Sequence, residues 1–137
     1  METDASPSRH RAAVLAYVEA FNRGDLDGVC AAFAPDAEIR GVLGWGSVAD
    51  ARPVWRDLID ALAMQLEVQQ LVEQGDSVAV CYLERGSAVR PFRGRPATQR
   101  RYEVVAMEFF TFRDGLILRR WGARDFAAIA SQLGWTP

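Results

Sequence analysis

The chain contains no lysine; its 16 basic residues are all arginine. Mechanisms that begin with a lysine Schiff base are therefore excluded. Histidine occurs once, as His10 in a polar N-terminal stretch, so a Ser-His-Asp or Cys-His arrangement and a multi-histidine metal site are not expected. Cysteine occurs twice, and Cys30 and Cys81 sit among apolar neighbours, which reads as reduced, buried thiols. No apolar run approaches the roughly 20 residues of a membrane helix. Met1 to Arg11 lacks the apolar core of a secretory signal, so the expected location is the cytoplasm. A formal charge of −2 and a pI near 5.4 give no electrostatic footprint for nucleic acid. Acid–base chemistry falls to carboxylates and tyrosines, without a metal or cofactor.

At 137 residues and 50% hydrophobic composition, the chain makes one domain over 1–137, with 1–6 a flexible leader. Ser6-Pro7 reads as a helix start, followed by Val14, Leu15, Val18 and Phe21 at helical spacing and an end near Gly24. Asp25 caps a second short helix with a stripe of Leu26, Val29, Cys30 and Phe33, closed by Ala34-Pro35-Asp36. A short strand is expected at 37–42, then a glycine-rich turn holding Trp45. A third helix carries Trp55, Leu58, Ile59 and Leu62, with Pro53 near its start. The period then changes from helical to alternating. Strands are expected at 64–74, 77–90, 100–113 and 116–125, with Gly75-Asp76 and Asp114-Gly115 as tight turns. Phe126, Ile129, Ala130 and Leu133 mark a last helix stopped by Gly134. Helices followed by an antiparallel meander make the class α+β.

Several stretches carry a resemblance: Phe33-Ala34-Pro35-Asp36-Ala37, Glu84-Arg85-Gly86-Ser87, the loop Pro91 to Thr98, Phe112 to Ile117, and Arg120-Trp121-Gly122-Ala123-Arg124-Asp125 followed by Gln132-Leu133-Gly134. On these the chain resembles the SnoaL-like polyketide cyclases, within the nuclear transport factor 2-like superfamily. The resemblance implies a cone in which a curved antiparallel sheet wraps helices around a pocket. It also implies a cofactor-independent cyclase that closes a ring in a polyketide-like, apolar or aromatic carbonyl substrate by an aldol-type step, in bacterial secondary metabolism. In such cyclases the aspartate matching Asp125 is the acid–base residue. A homodimer is expected, because exposed sheet faces in this architecture usually pair. Limonene epoxide hydrolases of the same fold use an Asp-Arg-Asp network; Asp125 and Arg85 would supply two members, with Ser87 where the other aspartate is expected. A non-catalytic ligand-binding or hydroxylation-accessory role is a further alternative.

Register arithmetic proceeds from the turns, because residues two apart in a strand share a face. A two-residue turn at Asp114-Gly115 places Glu108 opposite Trp121 and Val104 opposite Asp125, making Glu108, Trp121 and Asp125 neighbours. The Gly75-Asp76 turn places Arg85 opposite Leu66 and Leu83 opposite Val68. Together with what the resemblance implies for Asp125 and Arg85, this makes Asp125, Glu108 and Arg85 the candidate catalytic residues. Asp125 also stands where a helix N-cap belongs. Glu108 is either a second carboxylate or solvent-facing, and Arg85 is either catalytic or a structural ion-pair partner. Trp121, Tyr17, Asn22, Trp45, Trp55 and Phe110 are the candidate substrate-binding residues, with core packing as the rival for the aromatics and helix capping for Asn22.

Overall fold

The computed structural model describes residues 8–135. Helix α1, Arg9–Asn22, is capped by Ser8, whose hydroxyl accepts from the backbone of His10 and Arg11. The expected Ser6-Pro7 start and the 1–6 leader lie outside the described residues. Asp25 caps α2, Leu26–Ala31, as its sequence position predicts. The chain then turns extended sooner than expected. Phe33 opens strand β1, Phe33–Gly41, instead of ending the helical stripe. A short strand β2, Gly44–Gly46, pairs back on β1, and α3 spans Val48–Leu62. Strands β3, Gln65–Gln74, β4, Ser77–Ser87, β5, Arg101–Arg113, and β6, Leu116–Arg124, follow, and α4, Phe126–Leu133, closes the order.

The strands form one six-stranded sheet in the order β2-β1-β6-β5-β4-β3. β1 runs parallel to β6, so the sheet is not the purely antiparallel meander expected. Val14, Tyr17, Val18 and Phe21 of α1 and Trp55, Leu58 and Leu62 of α3 pack on its concave face. Each fully buried Leu, Val or Phe contributes about 1.5–3 kcal/mol by leaving water. β5 alternates strictly, with Tyr102, Val104, Ala106, Glu108 and Phe110 buried and Glu103, Val105, Met107 and Phe109 exposed. His10, expected in a polar leader, lies in α1 and stacks on Phe112 at 4.5 Å. Cys30 and Cys81 are unpaired and half-buried, less enclosed than expected.

Both long hairpins begin in the predicted register and then slip by one residue. At the Asp114-Gly115 turn both residues have positive φ, as a type I′ hairpin requires, and Arg113 faces Leu116. Beyond Phe112↔Ile117 a bulge leaves Leu118 unpaired, and the register becomes Thr111↔Arg119, Phe110↔Arg120 and Glu108↔Gly122. The bulge exchanges the faces of the rest of β6. Trp121 is thereby placed on the convex face, and Arg120, Gly122 and Arg124 on the concave one. A second bulge, between Val68 and Gln70, pairs Leu66 with Glu84 and Gln65 with Arg85. This corrects the expected Arg85–Leu66 pairing: Glu84 points inward and Arg85 outward.

Candidate active site

The concave face encloses a cavity of about 240 Å³. Its apolar wall includes Phe21, Ile39, Val54, Trp55, Leu58 and Met64, while Val42 to Gly46 flank it on the β1–β2 side. Three ionisable side chains from the sheet line it: Glu108, Arg120 and Arg124. Strand alternation in β5 and the Leu118 bulge in β6 bring them to one surface.

Glu108 is 5% exposed. Its carboxylate accepts from the Tyr82 hydroxyl at 2.9 Å, from Nη1 of Arg120 at 3.1 Å and, in a long contact of 3.4 Å, from the Tyr17 hydroxyl. A second buried pair stands beside it on the sheet. Glu84 accepts from Nε of Arg124 at 2.6 Å and from the Tyr102 hydroxyl at 2.5 Å. Burial opposes charge on Arg124, but Glu84 and Glu108 outweigh it and hold its pKa above the usual arginine value. Glycines make room for this arrangement. A Cβ on Gly122 would collide with Nη1 of Arg120, and one on Gly86 would lie 2.5 Å from the Tyr102 ring and 2.7 Å from the Leu62 carbonyl oxygen.

Burial, followed by the neighbouring carboxylate charge, pushes Tyr17, Tyr82 and Tyr102 well above the ordinary tyrosine pKa. These are all the tyrosines of the chain, and they act as donors, not bases. Above about pH 10 the unfolded chain releases tyrosine protons that the folded one retains, so stability present below that pH falls as pH rises toward the folded values. An ultraviolet titration is therefore expected to show no tyrosinate until the protein unfolds, and then all of it together. Stepwise titration in the folded state would contradict the buried arrangement.

The other candidates separate. Asp125 is exposed and lies outside the cavity lining; it is the N-cap of α4, and its carboxylate accepts from Ala128 N at 2.9 Å. This is the geometry of the capping alternative. Asp125→Ala is expected to cost about 0.5–2 kcal/mol in a urea melt, while Asp125→Asn, an equally good cap, costs little. Turnover in both is expected within twofold of wild type; a much larger loss from Asp125→Asn would return the aspartate to the chemistry. Arg85 is exposed on the convex face and binds Glu67 at 2.7 Å and Glu103 at 2.9 Å. These partners account for it as a structural ion pair. The Asn22 side chain neither caps its helix nor reaches the cavity lining: its amide donates to the Leu66 carbonyl and accepts from Leu66 N, both at 2.8 Å, tying α1 to β3. Tyr17 reaches Glu108 from α1. Phe110 is core, edge-on to Tyr17 at 5.4 Å. Trp55 lines the cavity and is buried, whereas Trp45 lines it and is 72% exposed. Trp121 lies on the convex face with Arg40 over its ring at 5.0 Å. Glu84, Arg120 and Arg124 were not sequence candidates. The available signal was the run Leu116-Ile117-Leu118, which breaks alternation where the bulge occurs.

The family profile of the SnoaL-like domain matches residues 14–120. The chain belongs to the SnoaL-like domain family. Tyr17, Tyr82, Glu84, Glu108 and Arg120 fall within the matched span, and Arg124 and Asp125 follow it. Among solved structures, this SnoaL-like protein is similar to AclR, a candidate hydroxylase from Streptomyces galilaeus, at 26% identity over 96% of this chain and 89% of that one, with a TM-score of 0.85. It is similar to IdmH, a candidate polyketide cyclase from Streptomyces antibioticus, at 28% identity over 93% and 99% of the two chains, TM-score 0.80. A candidate polyketide cyclase from Xanthomonas campestris pv. campestris is 28% identical over 91% and 96%, TM-score 0.80. No curated protein matches the chain. The family and the cone-shaped α+β fold agree with the resemblance carried by the sequence motifs.

Proposed function

We propose that this SnoaL-like protein is a cofactor-independent cyclase of a polyketide-like carbonyl substrate, with Glu108 as the proton acceptor and donor. The observation that carries the reading is the position of Glu108, a buried carboxylate on the wall of a largely apolar cavity, in contact with the guanidinium of Arg120. In the first step a C–H bond beside a carbonyl breaks; the proton passes to Glu108 and the electron pair to the enolate oxygen. The enolate carbon then attacks a second carbonyl of the same molecule, forming the C–C bond, and the resulting alkoxide takes the proton back from Glu108. Arg120 supplies positive charge beside the developing oxyanion. The apolar walls fold the substrate into reacting geometry, which is the larger part of an intramolecular aldol.

Two AclR- and IdmH-like functions separate by product. Incubation with enolisable polyketide analogues in labelled water is expected to give a product of substrate mass, or that mass less one water, without an added hydroxyl. Incorporation of a hydroxyl would favour the hydroxylation reading, and saturable binding without product would favour a carrier. Asp125 and Arg85 lie outside the cavity lining, so the observation that supports the cyclase reading does not extend to an epoxide route through them.

The convex face exposes Val72, Val105, Met107, Phe109 and Trp121. Such a patch on a sheet marks a pairing surface, and the occupant we propose is a second copy of this chain. Light scattering is expected to give twice the 15.2 kDa chain mass. Met107→Glu is expected to give the monomer at the same concentration. A wild-type monomer at micromolar concentration would contradict the pairing. Among the described residues no helix is long and apolar enough to cross a membrane, and no group of His, Cys, Asp and Glu could hold a metal ion.

A further inference from the structure

Two arginines flank Glu108 on β6, and it bonds only one of them. Its cross-strand partner is Gly122, and Arg120 and Arg124 stand on either side of that glycine on the same face of the strand. In this register both are diagonal neighbours of Glu108, within reach of a long side chain. Arg120 takes up the position, with Nη1 3.1 Å from the carboxylate. Arg124 does not. Its Nε donates to Glu84 at 2.6 Å, and among the described residues it pairs with no other carboxylate.

The partner it takes is further away across the sheet. Arg124 is paired with Ala106 of β5, and Ala106 with Tyr82 of β4. Glu84 lies beyond Tyr82 on β4, so the ion pair joins two strands that are not neighbours. The methyl group of Ala106 keeps the surface low between them. Glu84 itself is fully buried and accepts a second hydrogen bond, from the Tyr102 hydroxyl. A buried ion pair seldom adds stability over apolar residues of the same volume. Packing alone therefore does not account for a carboxylate at this position, whereas its effect on the arginine beside Glu108 does.

We propose that Glu84 is a positioning residue that draws Arg124 away from Glu108, so that the cavity carboxylate carries one guanidinium instead of two. This rests on the cyclase reading for Glu108 as the proton acceptor. Each opposite charge in contact favours the ionised carboxylate. A second guanidinium would hold Glu108 as the anion and weaken it as a base, while a single one leaves it able to take a proton and still supplies charge beside an oxyanion. No other group around Glu108 takes the place of Arg124. Tyr17 and Tyr82 reach it from α1 and β4 as neutral donors. Asp50 and Arg93, which also line the cavity, are exposed, and they are bound by Ser47 and Asp57.

The test follows the Glu108 carboxyl-carbon resonance of the intact protein across pH, with Glu108→Gln to assign it. Glu84→Gln releases Arg124, and the Glu108 midpoint is expected to fall by about 1–3 pH units, the effect of one more opposite charge in contact. The Arg124 Nε–H signal should then titrate in step with Glu108, which it does not do in the wild type. A purely structural Glu84 would lower the melting temperature and leave this titration in place. The double variant Glu84→Gln/Arg124→Gln removes both partners without stranding a buried charge. It is expected to return the Glu108 midpoint to the wild-type value, and it provides the test if the single variant does not fold. An unmoved midpoint in Glu84→Gln overturns the proposal, as does an Arg124 signal that ignores Glu108. So does a double variant whose midpoint lies about 1 pH unit or more above wild type, since Arg124 would then already act on Glu108. None of these outcomes reads turnover. A cyclase that depends on Glu108 but shows no shift keeps its function and loses the role of Glu84; full turnover in Glu108→Gln would remove the cyclase chemistry and leave the titrations to stand by themselves.

Discussion

Glu108→Gln is expected to lower turnover by about 10²–10⁴-fold, the usual contribution of a positioned general acid–base group. An amide of the same shape fills the site, so the apolar walls and the aromatic contacts of Tyr17 remain. It can neither take nor return the proton. The substitution also affects stability. The carboxylate accepts from Tyr82 and from Arg120 on different oxygens; the amide offers one oxygen and turns its NH₂ toward a donor. Arg120, 5% exposed, then loses its counter-charge, a loss that costs about 3–5 kcal/mol where a buried pair is broken outright. Turnover must therefore be compared at a temperature and urea concentration where both proteins are folded, checked by circular dichroism. A folded variant with turnover within threefold of wild type would remove Glu108 from the chemistry and leave the cavity as a binding site. Asp125→Asn, measured beside it, separates the two carboxylates, since only one of them lines the cavity.

Gly122→Ala is expected to destabilise the protein by about 1–3 kcal/mol through one methyl group, in the range of an overpacked interior. The Cβ would occupy the space of Nη1 of Arg120 and stand 3.4 Å from Cγ of Glu108. Nη1 must leave that position, and with it the hydrogen bond that it donates to Glu108. Overpacking alone would cost about 1–3 kcal/mol. The cost stays in that range because the clashing atom is the far end of a flexible side chain, which keeps its charge beside Glu108. In urea denaturation the midpoint should fall with the slope unchanged. Ala123→Ser, one residue further on the exposed face, is the control and is expected within about 0.5 kcal/mol of wild type. A change that small at Gly122 would mean that the guanidinium has room to move aside, and that the Arg120–Glu108 contact is not fixed by the strand.

Chain order and local chemistry were legible in the sequence. Gly75-Asp76 and Asp114-Gly115 sit at the hairpin turns, Asp25 and Asp125 cap helices, and Gly134 ends the last one at φ 78°. The absence of lysine and the single histidine confined proton transfer to carboxylates and tyrosines, and the alternation of β5 turned Glu108 to the same side as Phe110. These properties depend on nearest neighbours and on period, which a linear sequence contains. Which half of β6 faces the cavity was decided elsewhere. A turn fixes register only until a bulge adds a residue, and Leu118 is unpaired in a strand that must bury Ile117 at one end and Arg120 at the other. That single residue moved Trp121 and Asp125 out of the expected site and brought in Arg120 and Arg124. On a strand of unknown face, an arginine reads as solvated. It becomes part of a site only when the opposite strand supplies a buried carboxylate and a glycine leaves it room, and these are pairings that folding makes between distant segments.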